Sequence, residues 1–188
     1  MPTPLLTHPL LPPPRFTFKD AEDAGEAWNF NCGPAAIAMV SGLKPEELRP
    51  HLGDFERKGY TNPTLMFECL NRLKVRWTPR KAGRGTLAFP DGLDAWPSFG
   101  LVRVQWEGPW TAPGVPIRVR YLHTHWIGCS RVPGDEPAIF DVNAMAVGGW
   151  IPLSMWREKL VPWLLEHCEP KANGKWHLTH VLEVERKS

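Results

Sequence analysis

From Pro34 to Val40 the chain is apolar on every side, and Ser41-Gly42 follows. Proline in a first helical turn, strong helix formers and a glycine stop predict a short buried helix. A second short helix fits Pro45 to Leu52. A third fits Thr61-Asn62-Pro63 through Leu73, with Leu65, Met66, Cys69, Leu70 and Leu73 on one face behind a polar cap. The period changes from residue 74 onward. Val75–Trp77, Leu101–Trp106, Ile117–Leu122, His125–Cys129, Ala138–Val142 and His177–Val184 are short and rich in β-branched or aromatic residues. Gly/Pro turns separate them, which predicts strands. Pro133-Gly134-Asp135-Glu136 marks a hairpin between two of them. One helical stretch, Ser154 to His167, interrupts the series, and Pro162 is expected to kink or split it. Helices first and an antiparallel sheet afterwards predict an α+β fold.

The first sixteen residues hold six prolines, which favours an extended arm over residues 1–16 and a single domain over 17–188. A chain of 188 residues suffices to bury a core without disulfide or metal staples. It has no run of 18 apolar residues, so no transmembrane helix is expected. The N-terminus lacks a basic segment, so no signal peptide is expected either, and the compartment reads as cytoplasmic and reducing. Cys32, Cys69, Cys129 and Cys168 are then expected as free thiols. Ten tryptophans and 21 prolines are both high counts, but neither names a function.

Three motifs carry chemistry. Asn31-Cys32-Gly33-Pro34-Ala35-Ala36 puts a cysteine at the N-terminus of the apolar helix, where free N–H groups and the helix dipole favour a thiolate. The plain alternative is a small buried hydrophobe. His123-Thr124-His125-Trp126-Ile127-Gly128 falls on a predicted strand, where residues two apart share a face. One imidazole then faces a cleft, the other sits near its rim, and Trp126 is a candidate cleft wall, with core or sheet-face packing, expected for most of Trp96, Trp106, Trp110 and Trp126, as its alternative. A structural strand histidine is the plain alternative, and so is half of a zinc site with Cys129, His167 or Cys168. No tight second ligand pair completes that site, so neither metal nor cofactor is expected. Ile139-Phe140-Asp141-Val142-Asn143 follows, with Asp141 sixteen residues after His125. A hairpin through 130–137 brings the two side by side, where a carboxylate or amide fixes the imidazole tautomer.

The order of these stretches resembles the papain-like superfamily, most strongly bacterial peptidases that process double-glycine leaders. The resemblance rests on Asn31-Cys32-Gly33-Pro34-Ala35-Ala36-Ile37-Ala38, His125-Trp126-Ile127-Gly128 and Phe140-Asp141-Val142-Asn143. It implies a helical half, with the cysteine helix, packed on an antiparallel sheet, the site lying in the cleft between them. It also implies Cys32 as nucleophile, His125 as general base and then acid, Asp141 as orienter, a peptide or protein substrate, and a bacterial or phage source. His123 is kept as an alternative base, with Trp126 and Asn143 as cleft residues. One position departs from the family. Glutamine six residues before the cysteine usually donates to the oxyanion, and here that residue is Glu26, whose carboxylate cannot donate. Asn29 or Asn31 then stands as the donor beside the Cys32 amide. Two expectations follow: a thiol hydrolase cleaving an amide, peptide or isopeptide bond, or a degenerate binding or assembly module. An amine in place of water makes the same site a transferase.

A basic stretch remains. Arg72, Lys74, Arg76, Arg80, Lys81 and Arg84 surround Trp77, with no acid between Glu68 and Asp91. Such a stretch can grip a nucleic-acid backbone, but a net charge of +2 favours a solvated strand and loop.

Overall fold

In the computed structural model, which describes residues 11–80, 95–120, 123–132, 134–169 and 171–186, the first part of the chain is helical. Helix α1 (Phe18–Trp28) opens on a capping box in which Thr17 and Asp20 satisfy each other's amides. It closes at Asn29, in the left-handed region at φ 64°. The hydrophobic pattern does not predict this helix, because it buries only Ala21, Ala24 and Trp28. Helix α2 (Cys32–Ser41) is buried at every residue from Gly33 to Ser41, as its unbroken apolar sequence requires. Single turns α3 (Pro45–Leu48) and α4 (Phe55–Lys58) follow, then helix α5 (Pro63–Arg72), capped by Asn62 accepting from the Leu65 amide at 2.9 Å.

Strands β1 (Trp77–Pro79), β2 (Phe99–Trp106), β3 (Thr124–Ser130), β4 (Ala138–Phe140), β5 (Trp150–Pro152) and β6 (Trp176–Val184) form one sheet. Its order is β1-β6-β2-β3-β4-β5 and every neighbouring pair is antiparallel. The architecture is therefore α+β. The sheet divides the core in two. Leu101, Trp126, Phe140 and Leu182 face the helical half. Val102, Val104, Ile127, Cys129 and Ile139 face the other way, toward Trp156, Val161 and Leu165. Beta-strand residues two apart share a face, so this division follows from parity along β2 and β3.

Three local expectations need correction. Ile117–Arg120 is a helical turn, α6, rather than the start of a strand. Two apolar residues in Ile-Arg-Val-Arg make too short an alternation, and Pro116 opens a turn by accepting from the Val119 amide at 2.9 Å. Residues 121–122 lie outside the described residues. The first strand begins at Trp77, two residues after Val75. The strand expected over Ala138–Val142 stops at Phe140, because the Asp141 carboxylate accepts the Asn143 amide and turns the chain into a 3₁₀ segment, Val142–Val147. The helical stretch expected from Ser154 is split, as Pro162 implied, into three pieces: α7 (Leu153–Met155), a π-helical turn (Trp156–Leu160) and α8 (Val161–Glu166). Pro162 opens the last piece, and the wider turn before it is the form its disruption takes.

The arm is docked where it is described. Trp150 donates its indole N–H to the Pro12 carbonyl at 3.0 Å, and Arg15 donates to the Gly42 carbonyl at 2.9 Å. Phe16 is buried edge-on against Phe30 and Phe140. Among the described residues no helix is long and apolar enough to cross a membrane.

Candidate active site

Cys32 is the first residue of α2, so its amide has no acceptor within the helix. Asn31 caps the helix, its side-chain oxygen accepting from the Gly33 amide at 3.3 Å. Gly33 is fixed by its neighbour. A Cβ there would run into the Thr61 hydroxyl and lie 2.5 Å from the Thr61 Cβ, so only glycine lets the helix seat against that loop.

His125 comes from β3 and Asp141 from the end of β4. The hairpin register pairs Gly128 with Phe140, which leaves Asp141 beside the start of β3. His125 Nε2 donates to Asp141 Oδ2 at 2.7 Å. The other ring nitrogen, Nδ1, is left for the Cys32 thiol, with which the imidazole is hydrogen-bonded. Asp141 is 0% exposed and accepts four donors. Besides His125, the Trp156 indole reaches Oδ2 at 2.9 Å, and the Asn143 amide and side chain both reach Oδ1 at 2.9 Å. A buried carboxylate is tolerated because all four donors are in place.

These contacts set the charges. Burial pushes the Cys32 thiol up, but the His125 charge, its hydrogen bond and the Trp126 main-chain N–H outweigh that and hold the pKa below an ordinary thiol's. Burial pulls His125 down, yet Asp141 and Cys32 on either side raise it well above an ordinary histidine's. Asp141, pushed up by burial, is held below the usual carboxylate range by His125, Trp156 and Asn143. All four cysteines are free, and the other three contrast with Cys32. Burial raises Cys69 to about 12, raises Cys129 further, and raises Cys168 with help from Glu169.

An aromatic layer backs the pair. The Trp106 ring lies nearly parallel to His125, 24° apart with centroids at 5.9 Å, and stacks in turn on Trp156 at 6.2 Å. Cys32 and a 6%-exposed His125 line an open cleft of about 450 Å³. Phe18, Ala21, Glu22 and Gly25 of α1 form one wall, with Val142 and Asn143 on another.

The remaining sequence candidates are placed differently. Trp126 is no cleft wall. It points to the opposite face of the sheet from His125, is buried in the helical core, and donates its indole N–H to the Thr61 carbonyl at 2.8 Å. His123 precedes β3 and packs on the Trp110 ring at 4.0 Å, with the Cys168 sulfur 3.4 Å from its Nδ1. It does not line the cleft, so the geometry gives no support to it as an alternative base. Glu26 is exposed and off the cleft, where Glu22 and Gly25 take its place. Asn29 and Asn31 both donate to the Gly59 carbonyl at 3.2 Å, and only Asn31 also lines the cleft. Among the described residues no group of three or more His, Cys, Asp or Glu is placed to hold a metal.

Sequence reasoning missed Trp156, Trp106 and the cleft face of α1. Trp156 lies fifteen residues beyond Asp141, a separation with no local signal. The basic stretch is largely paired. Arg72 meets Glu68 at 3.1 Å, Arg76 meets Glu185 at 3.2 Å and Arg80 meets Glu183 at 3.6 Å, while Lys81 and Arg84 lie outside the described residues. No known family profile matches the chain, and no curated protein matches its sequence.

Proposed function

We propose that this chain is a papain-like thiol hydrolase acting on an amide or peptide bond. The observation that carries the reading is the linear relay Cys32–His125–Asp141, in which one thiol of four has a lowered pKa. In this reading the Cys32 thiolate attacks the carbonyl carbon and a C–S bond forms. Negative charge moves to the carbonyl oxygen, which the Cys32 amide and the second side-chain hydrogen of Asn31 receive. The His125 imidazolium protonates the leaving nitrogen from Nδ1, the C–N bond breaks and a thioester remains. Water then attacks the thioester while His125 takes its proton, releasing the acid and returning the thiolate–imidazolium pair. Asp141 holds the ring and stays ionised throughout.

A binding or assembly module is the second reading. It is favoured by Glu26 lying off the cleft and by the amides of Asn29 and Asn31 being tied to Gly59. A mixed peptide library incubated with the protein, read by mass spectrometry of both products and Cys32, separates the two. The hydrolase reading expects new peptide termini that disappear in Cys32→Ala. Peptides retained intact for hours, with no acyl adduct on Cys32, would replace it with the binding module.

A further inference from the structure

The cleft has a charge and a shape. Glu22 lines it and makes no hydrogen bond or ion pair among the described residues. Its neighbours on α1 are occupied: Asp20 is held in the capping box, and Asp23 pairs with Lys19 at 2.8 Å. No lysine or arginine lines the cleft. The relay behind it contains the Asp141 carboxylate, and whichever of Cys32 and His125 holds their shared proton, its net charge is one further negative charge. Lys19 lies within electrostatic reach of Glu22 but is ion-paired with Asp23, so the lining itself faces an entering group with negative charge.

The apolar part of the lining includes Phe18 of α1 and Val142 of the 3₁₀ segment. Phe18 is 48% exposed, unusual for a ring that size, and it stands on the cleft face of α1. Gly25 lines the cleft from α1 together with Phe18 and Glu22. Glycine inside a helix weakens it, yet packing does not require one here. A Cβ at Gly25 would meet only the Phe30 carbonyl, at an ordinary 3.5 Å. The missing side chain leaves this part of the cleft lining bare.

We propose that Glu22 is a specificity-determining residue, and that the cleft takes a peptide presenting a lysine or arginine side chain next to an apolar residue. This rests on the thiol-hydrolase reading above. The cation meets Glu22, the apolar neighbour lies against Phe18 and Val142, and the space at Gly25 admits the long side chain.

Two thiol reagents of opposite charge and the same chemistry test the field without knowing the substrate. They are the trimethylammonium-ethyl and sulfonato-ethyl methanethiosulfonates. Each forms a disulfide with the Cys32 thiolate and expels methanesulfinate. Second-order rates at Cys32 are read by peptide mass spectrometry in wild type, Glu22→Gln and Glu22→Lys. Relative to the ratio the two reagents show with a small free thiol, the cationic reagent is expected to be favoured about tenfold at low salt, and this extra preference should collapse in 1 M salt. Glu22→Gln should shrink the ratio severalfold and Glu22→Lys should reverse it. Gly25→Leu should slow both reagents while keeping their ratio. A ratio that is the same in wild type, Glu22→Gln and Glu22→Lys overturns the proposal. So does cleavage by the wild type of library peptides with no excess of lysine or arginine at the cut. If no peptide is cut but the ratio responds to Glu22, the hydrolase reading fails and the charge selection by Glu22 stands.

Discussion

Two cysteines in this chain lie against histidines, and their surroundings push them in opposite directions. Cys32 begins a ten-residue helix, where unpaired amides and the positive end of the dipole favour a thiolate. Cys168 lies just beyond the C-terminal end of α8, with Glu169 beside it, so the local field favours the neutral thiol. The imidazoles differ in the same way. His125 has a fully buried carboxylate behind it, whereas His123 has the face of Trp110. The outcome is a lowered thiol with a raised histidine at one site, and a raised thiol with a lowered histidine at the other. A thiol–imidazole contact is therefore not enough. The field around the pair decides whether a proton crosses it.

Exchanging the two sites gives the largest expected effect. Cys32→Ala should remove all measurable turnover, a loss on the order of 10³-fold or more, while Cys168→Ala should leave the rate within twofold. Equal losses in the two variants would erase the distinction. A pH series of iodoacetamide labelling makes the same contrast without a substrate: Cys32 should label at lower pH than an ordinary thiol, Cys168 only at higher pH.

Next in size is Asp141→Asn, expected to lower kcat about 100-fold, within the range for losing a positioned acid–base partner. The sign of its pH effect is fixed. His125 is charged below its raised pKa, so activity and the ion pair's contribution to stability are both lost as pH rises through that value. Cys32 works in the other direction: its contribution is lost as pH falls through its lowered pKa. Removing the carboxylate takes away a raising influence on His125, so the alkaline limb should move to lower pH. An unmoved limb in a folded Asn variant would mean that Asp141 is structural only.

Trp156→Phe is milder. It keeps the ring that stacks on Trp106 and removes one donor from Asp141, costing about 1–3 kcal/mol of stability. It should raise the Asp141 pKa and leave the alkaline limb set by His125 close to wild type, whereas Asp141→Asn moves that limb; thermal unfolding alongside the pH profile separates the two effects. Glu169→Lys is the smallest change. By removing one influence that raises the Cys168 thiol, it should speed labelling there by less than tenfold and leave Cys32 untouched.

Much of the site was legible in sequence because its parts rest on local rules. Asn31-Cys32-Gly33-Pro34 signals a capped helix start, and the Pro133–Glu136 turn implies the hairpin that delivers Asp141 to His125. The cleft-wall alternative for Trp126 fails, and core packing holds, for an equally local reason. Alternation puts it on the face opposite His125, so a residue adjacent in sequence cannot share that cleft wall. Helix α1 was missed because cap chemistry starts it and only three of its residues are buried.

The sequence by itself determined the α+β layout, the cysteine at a helix start and the order Cys, His, Asp, since these follow from periodicity, caps and turns within a few residues. Only the tertiary structure decided which histidine meets which cysteine, that the Trp156 indole supports Asp141, and that Glu22 rather than Glu26 faces the cleft. Those outcomes depend on how α1, α2 and the sheet pack across long separations, and the fields that shift each proton exist only after that packing has excluded water.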